Sequence, residues 1–276
     1  MHTIFSAKGG FMPEKMLNSA LIKGIDLLES GYLPGALKAL RAYWLEHGDD
    51  PDGCFYLGDA LAEDGQIDEA IARYRDGLQL VPDDPDALTT LGDLMFEAGK
   101  HQEAISCYRR VLELDPDDAD ALVSIGLVHS SLEQSGEAIA SYRKALEVDP
   151  DNVFAWNALG DALYGSGDAE GALDSYRKGI EIDPADPSAH FNLGELYYDL
   201  DELEEAEDEC LEAIRLDPTM GMAYLTLGSI CMDQERIKDA LSYFEKYLSY
   251  EKSPQAAEMI EEVKAVVDGL KEELKS

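Results

Sequence analysis

The chain has 276 residues, 45% of them hydrophobic and 29% charged, which is enough apolar material for a packed core and argues against a disordered chain. With 58 Asp and Glu against 22 Lys and Arg, the formal net charge is -36. A surface that negative repels phosphates and anionic headgroups, which makes DNA, RNA and acidic membranes poor partners and basic polypeptides better ones.

No stretch approaches the ~20 apolar residues of a membrane-spanning helix. Residues 1–13 carry Lys8 and Gly9-Gly10 but no apolar core of a secretory signal, so the expected location is cytoplasmic. Residues 1–16 are set apart as an N-terminal extension. Beyond them a period of 34 residues organises the chain: Gly24, Gly58, Gly92, Gly126, Gly160, Gly194 and Gly228 form one register and Ala36, Ala70, Ala104, Ala138, Ala172, Ala206 and Ala240 a second. A third, Pro82, Pro116, Pro150, Pro184 and Pro218, closes the units. The glycines frame seven tandem units at 17–50, 51–84, 85–118, 119–152, 153–186, 187–220 and 221–254.

Within unit 153–186, Trp156, Leu159 and Leu163, then Ala172, Tyr176 and Ile180, recur every three or four residues, which predicts two short amphipathic helices separated by a turn at Gly165 to Gly167. Asp50, Asp84, Asp118, Asn152 and Asp186 each precede a first helix and are expected to cap it, while Pro stops the second. The register glycines are expected where two helices approach too closely for a Cβ, with the register Ala beside them. Tyr108, Tyr142, Tyr176 and Trp156 are expected in the core. After the last unit, 255–276 is expected as a capping helix with the apolar stripe Ile260, Val263, Val267, Leu270 and Leu274.

These residues resemble the tetratricopeptide repeat (TPR): W/L-x-x-L-G-x-x-L/Y in the first helix, A-x-x-x-Y/F-x-x-A/G in the second and Pro near the end, over about residues 17–254. The pattern departs at the ends, with Lys23 for Leu in the first unit and Lys252 for Pro in the last, as suits terminal units that lack a neighbour. The resemblance implies an all-α, right-handed superhelical solenoid of about seven helix-turn-helix repeats with a C-terminal capping helix. It also implies a concave face built from the second, fifth, ninth, twelfth and thirteenth positions of the first helices. On it fall Asp59, Asp93, Asp161 and Glu195 at the ninth position, with Phe55, Phe96, Asn157, Tyr164, Phe191 and Tyr198 interleaved. These ten residues are the expected partner-binding groove. Family members that hold acidic chaperone C-termini carry Lys and Asn at the fifth and ninth positions; Phe55, Thr89, Asn157 and Phe191 at the fifth and acids at the ninth do not carry that function over.

No chemistry-bearing cluster competes with this expectation. Cys54, Cys107, Cys210 and Cys231 lie in different units without a C-x-x-C pair and are expected as reduced core fillers. No H-E-x-x-H, G-x-S-x-G or phosphate-loop motif occurs. The acidic loops at Asp83 to Ala87 and Asp115 to Ala121 lack the Gly-six and Glu-twelve spacing of an EF-hand. No cofactor, metal or catalysis is expected. The expected function is a protein-interaction scaffold for a segment offering basic and apolar side chains, with a self-assembling module as the alternative and an enzyme or metal-binding protein as the weakest.

Overall fold

The computed structural model describes residues 19–275, all-α in architecture, and the extension at 1–16 lies outside them. The chain divides into two compact units at Pro116 and Asp117. In the first, α1 (Ser19–Glu29), α2 (Leu33–Glu46), α3 (Pro51–Glu63), α4 (Ile67–Leu80), α5 (Pro85–Glu97) and α6 (His101–Leu114) form three antiparallel hairpins packed in chain order. In the second, α7 (Ala119–Ser131), α8 (Ser135–Val148), α9 (Val153–Gly165), α10 (Ala169–Ile182), α11 (Pro187–Asp199), α12 (Leu203–Leu216), α13 (Gly221–Asp233) and α14 (Ile237–Tyr250) form four more. A single 3-10 turn (Pro254–Ala256) leads into α15 (Ala257–Glu273), which packs on α14. From α3 onward each first helix starts on the first position of its 34-residue frame. The seven register alanines are fully buried.

The helix starts follow local chemistry. Asp84, Asp118 and Asn152 accept the N–H of the third helical residue at 2.8–2.9 Å, and Asp186 accepts the Ser188 N–H at 2.9 Å. Asp50 departs from the expectation: it makes no cap bond, and its carboxylate accepts the Tyr43 hydroxyl at 2.5 Å. That phenol sits in the core, where burial first and the neighbouring Asp50 next push its pKa up to about 12.

The register glycines are close-approach sites; the register Ala lies beside them at Gly58 and Gly194, where the Ala70 and Ala206 carbonyls would be 3.6 and 3.3 Å from a Cβ, but the nearest atoms belong to a larger side chain further along the second helix. A Cβ on Gly58, Gly92, Gly126 or Gly160 would lie 2.4–2.6 Å from the ring of Tyr74, Tyr108, Tyr142 or Tyr176, sixteen residues on. Those tyrosines are buried, whereas Trp156, expected with them, is half-buried. Cys54, Cys210 and Cys231 are buried and Cys107 is half-buried, with burial pushing its thiol up to about 11. In α15, Val263, Val267 and Leu270 are buried against Phe244 and Tyr247, with Ile260 beside them, while Leu274 leaves the stripe at 43% exposure. Lys271 pairs with Glu245 at 2.7 Å.

The turn within each hairpin requires one left-handed residue. Gly31, Gly65, Gly99 and Gly167 supply it at φ 71–89°, but Glu133, Asp201 and Glu235 hold φ 57–63° at the equivalent places. A non-glycine there carries a steric cost of about 1 kcal/mol. Glu133→Gly, Asp201→Gly and Glu235→Gly are therefore each expected to raise stability, by up to about 0.5–1 kcal/mol after the greater unfolded-state entropy of glycine is subtracted. Chemical denaturation of the three variants checks this, and a lowered midpoint in all three would contradict it.

Candidate functional site

The ten residues expected as a groove fall on four first helices, α3, α5, α9 and α11. On the first unit, Phe55 and Asp59 project from α3 and Phe96 and Asp93 from α5. Asp59 accepts the hydroxyl of Tyr74, and Asp93 that of Tyr108 at 2.6 Å. Phe55 is half-buried, with its ring 5.4 Å from Tyr74 and filling the space where Gly77 lacks a side chain. Phe96 is half-buried with its ring 5.7 Å from His101. These groups therefore join the two helices of their own hairpins.

The second unit repeats the pattern and then departs from it. Asp161 accepts the Tyr176 hydroxyl at 2.7 Å and, from the next hairpin, the Asn192 amide at 3.3 Å. Asn157 donates to Asp186 at 2.8 Å and takes the place a side chain on Gly179 would need. Tyr164 donates to Asp199, and Tyr198 to Asp233 at 2.9 Å, so two twelfth-position phenols each bridge to the thirteenth position of the following hairpin. Glu195 differs. Its frame partner fifteen residues on is Cys210 rather than Tyr, and among the described residues its carboxylate accepts no hydrogen bond.

The link between the ninth position and the residue fifteen further on was not read from the sequence, although a signal for it exists. Asp59, Asp93 and Asp161 stand opposite Tyr74, Tyr108 and Tyr176, whereas Ile25, Glu195 and Ser229 stand opposite Leu40, Cys210 and Phe244. Leu127 opposite Tyr142 is the exception, and there the phenol meets the Ser130 hydroxyl at 3.1 Å.

The electrostatics follow from this packing. Burial raises Asp59 to about 6, opposed by the Tyr74 bond and reinforced by Glu63. Burial likewise raises Asp93 and Asp161, each offset by its tyrosine. Glu195 is exposed as a residue, but its carboxylate is partly desolvated, which raises its pKa first, with Asp199 and Asp161 adding to it. Beside it lies a shallow recess of about 180 Å³ walled by Asp161, Tyr164, Tyr176 and Asn192. Phe154 and Met222, at the second positions of their units, are 56% and 41% exposed.

A carboxylate whose folded pKa exceeds its unfolded value near 3.9 favours the folded state in its protonated form. Its ionisation thus costs stability above the folded pKa, and the cost disappears as pH falls below the unfolded one. Asp59→Asn keeps an acceptor for Tyr74 and removes that cost. The variant is expected to gain about 1–2 kcal/mol over the wild type at pH 7.5 and to lose the advantage towards pH 4. Denaturant midpoints across that range check it; a constant difference would contradict it.

Sequence patterns described as TPR repeat or tetratricopeptide repeat match residues 23–85, 61–124, 131–167, 160–201, 187–220 and 223–254. The chain belongs to the tetratricopeptide-repeat family. No curated protein matches this TPR chain by sequence. Among solved structures, a tetratricopeptide repeat protein from Parabacteroides merdae superposes with a TM-score of 0.71 at 21% identity, over 90% of this chain and 97% of that one. MamA is similar at 25% identity and TM-score 0.54, over 58% and 94%. YrrB, described as a TPR protein with an unusual peptide-binding site, matches at 23% identity and TM-score 0.51, over 68% and 97%. The fold and family point to a protein-interaction scaffold. No helix among the described residues is long and apolar enough to cross a membrane.

Proposed function

We propose that this TPR chain binds a polypeptide segment on the first-helix face of its second unit, and that a basic side chain of that segment is recognised at Glu195. The observation carrying this is the charge of Glu195, held between Asp161 and Asp199 at the edge of a recess, with no donor of the described chain turned to it. Like charges so placed cost folding free energy that a ligand's Lys or Arg recovers. Tyr164, Phe191 and Tyr198 supply contact area, together with the exposed Phe154 and Met222. Such groups carry affinity, while solvated ion pairs contribute about 0–1 kcal/mol each and act mainly on specificity and rate.

In this proposal Asp59, Asp93 and Asp161 hold hairpins together and add negative potential, Phe55, Phe96 and Asn157 shape the faces, and the role is binding without catalysis. The peptide site described for YrrB gives the proposal support by analogy. The test is affinity capture from the source cell's lysate with the wild type and with Glu195→Lys. Partners sharing basic segments should be lost from the charge-reversed bait; identical captured sets would contradict the proposal.

A further inference from the structure

A second recess, of about 410 Å³, opens on another side of α9. It is walled by Leu146 from α8 and by Trp156, Leu159 and Leu163, with Gly171 and Ser175 of α10 across it and Arg143 and Glu147 at the rim. At 100° per residue, the stripe of Trp156, Leu159 and Leu163 faces away from that of Asn157, Asp161 and Tyr164, so this recess is separate from the Glu195 face. The Trp156 N–H donates to the Pro150 carbonyl at 2.8 Å, and the Ser175 hydroxyl donates to the Gly171 carbonyl at 2.8 Å, so both walls are held in place.

The repeat supplies its own comparison. The residue at the fourth position of a unit faces the one at the twenty-third, and several hairpins fill the space between them from within. His190 meets Glu209 at 2.6 Å, and the rings of Tyr224 and Tyr243 lie 6.4 Å apart. Arg73, at the twenty-third position, covers the ring of Trp44 at 3.9 Å, beside Cys54 at the fourth. In α9 and α10 the pair is Trp156 and Ser175, and Gly171 stands where five other units carry Glu69, Glu103, Glu137, Glu205 or Asp239 and the first unit carries Gly35. The short Ser175 is itself buried, so the exposed lining of the recess is Trp156 and Gly171, both half-buried, with Arg143 and Glu147 around them. Arg143 has no carboxylate within ion-pair distance among the described residues, whereas every other arginine except Arg109 has one, in a chain of net charge -36.

We propose that this recess takes one aromatic side chain of a partner polypeptide, laid with one face against Trp156 and the other towards the Arg143 guanidinium. The occupant would restore what Trp44 and Arg73 form inside the chain: an apolar ring in an apolar wall with a cation over its face. Glu147 shares the rim, so a ring fits better than a carboxylate.

The probe is indole, titrated into the full chain and followed by amide and indole N–H resonances. Shifts should concentrate on the Trp156 indole and the Gly171 amide. Ser175→Tyr, which copies Tyr243 and plugs the recess, should weaken binding at least tenfold, while Glu195→Gln should leave it unchanged. Should Ser175→Tyr lose its helicity, Leu146→Trp, which copies Trp44, carries the same expectation. Shifts absent up to the solubility of indole, shifts scattered over the chain, or wild-type affinity in a folded plugged variant would each overturn the proposal.

Discussion

Gly160→Leu is expected to destabilise the protein by at least roughly 1–3 kcal/mol, the range for overpacking a close-packed interior. A Cβ at Gly160 would stand 2.4, 2.7 and 2.8 Å from three atoms of the Tyr176 ring. That ring is buried, and its hydroxyl is fixed to Asp161 at 2.7 Å, so it cannot swing aside without breaking the bond. Loss of that bond would leave a partly desolvated carboxylate with only the longer contact from the Asn192 amide at 3.3 Å, at up to about 1–3 kcal/mol more. Gly136→Leu is the matched control, because nothing lies within 4 Å of a Cβ built there and the substitution only improves helix propensity. Denaturant midpoints should fall for the first variant and hold or rise for the second, and Gly160→Leu combined with Tyr176→Ala should recover part of the loss. Equal midpoints for wild type and Gly160→Leu would contradict the close-approach role.

Removal of residues 254–276 is expected to have the other large effect. Val263, Val267 and Leu270 are buried against α14, whose Phe244 and Tyr247 would be uncovered. Each buried side chain of this size represents about 1.5–3 kcal/mol of burial, so the loss amounts to several kcal/mol. In a repeat protein the damage is local, since stability is a sum of hairpins and their interfaces. The last hairpin, α13 and α14, should lose amide protection first, and the exposed face should bind a hydrophobic dye. Unchanged protection in α14 would show that α15 contributes no cap.

These effects also show how far the sequence can be read. The fold was legible because a solenoid writes the same packing problem at every repeat, so the Gly and Ala registers and the caps at Asp84, Asp118, Asn152 and Asp186 stand out by recurrence. Asp50 broke the series because a nearby buried phenol, Tyr43, competes for its carboxylate, and nothing in the local cap pattern reveals that. For the ten residues expected in a groove, their positions on first helices were legible but their hydrogen-bond partners were not. Periodicity places Asp59, Asp93 and Asp161 on an open face, whereas their hydrogen bonds run to the second helix of the hairpin, across a turn that helical periodicity does not span. Phe55 is similar: an aromatic at a groove position proves half committed to filling the absence of a side chain at Gly77.

The proposal at Glu195 is tested most directly by the affinity of the captured segment for wild type and Glu195→Gln across a series of NaCl concentrations, with melting temperatures measured alongside. Removing a carboxylate crowded by Asp161 and Asp199 should leave the melting temperature unchanged or higher. Binding should nonetheless weaken, and its salt dependence should flatten, because one attractive charge has been lost. Unchanged affinity together with unchanged salt dependence would contradict recognition at Glu195 and leave its charge a matter of solubility alone.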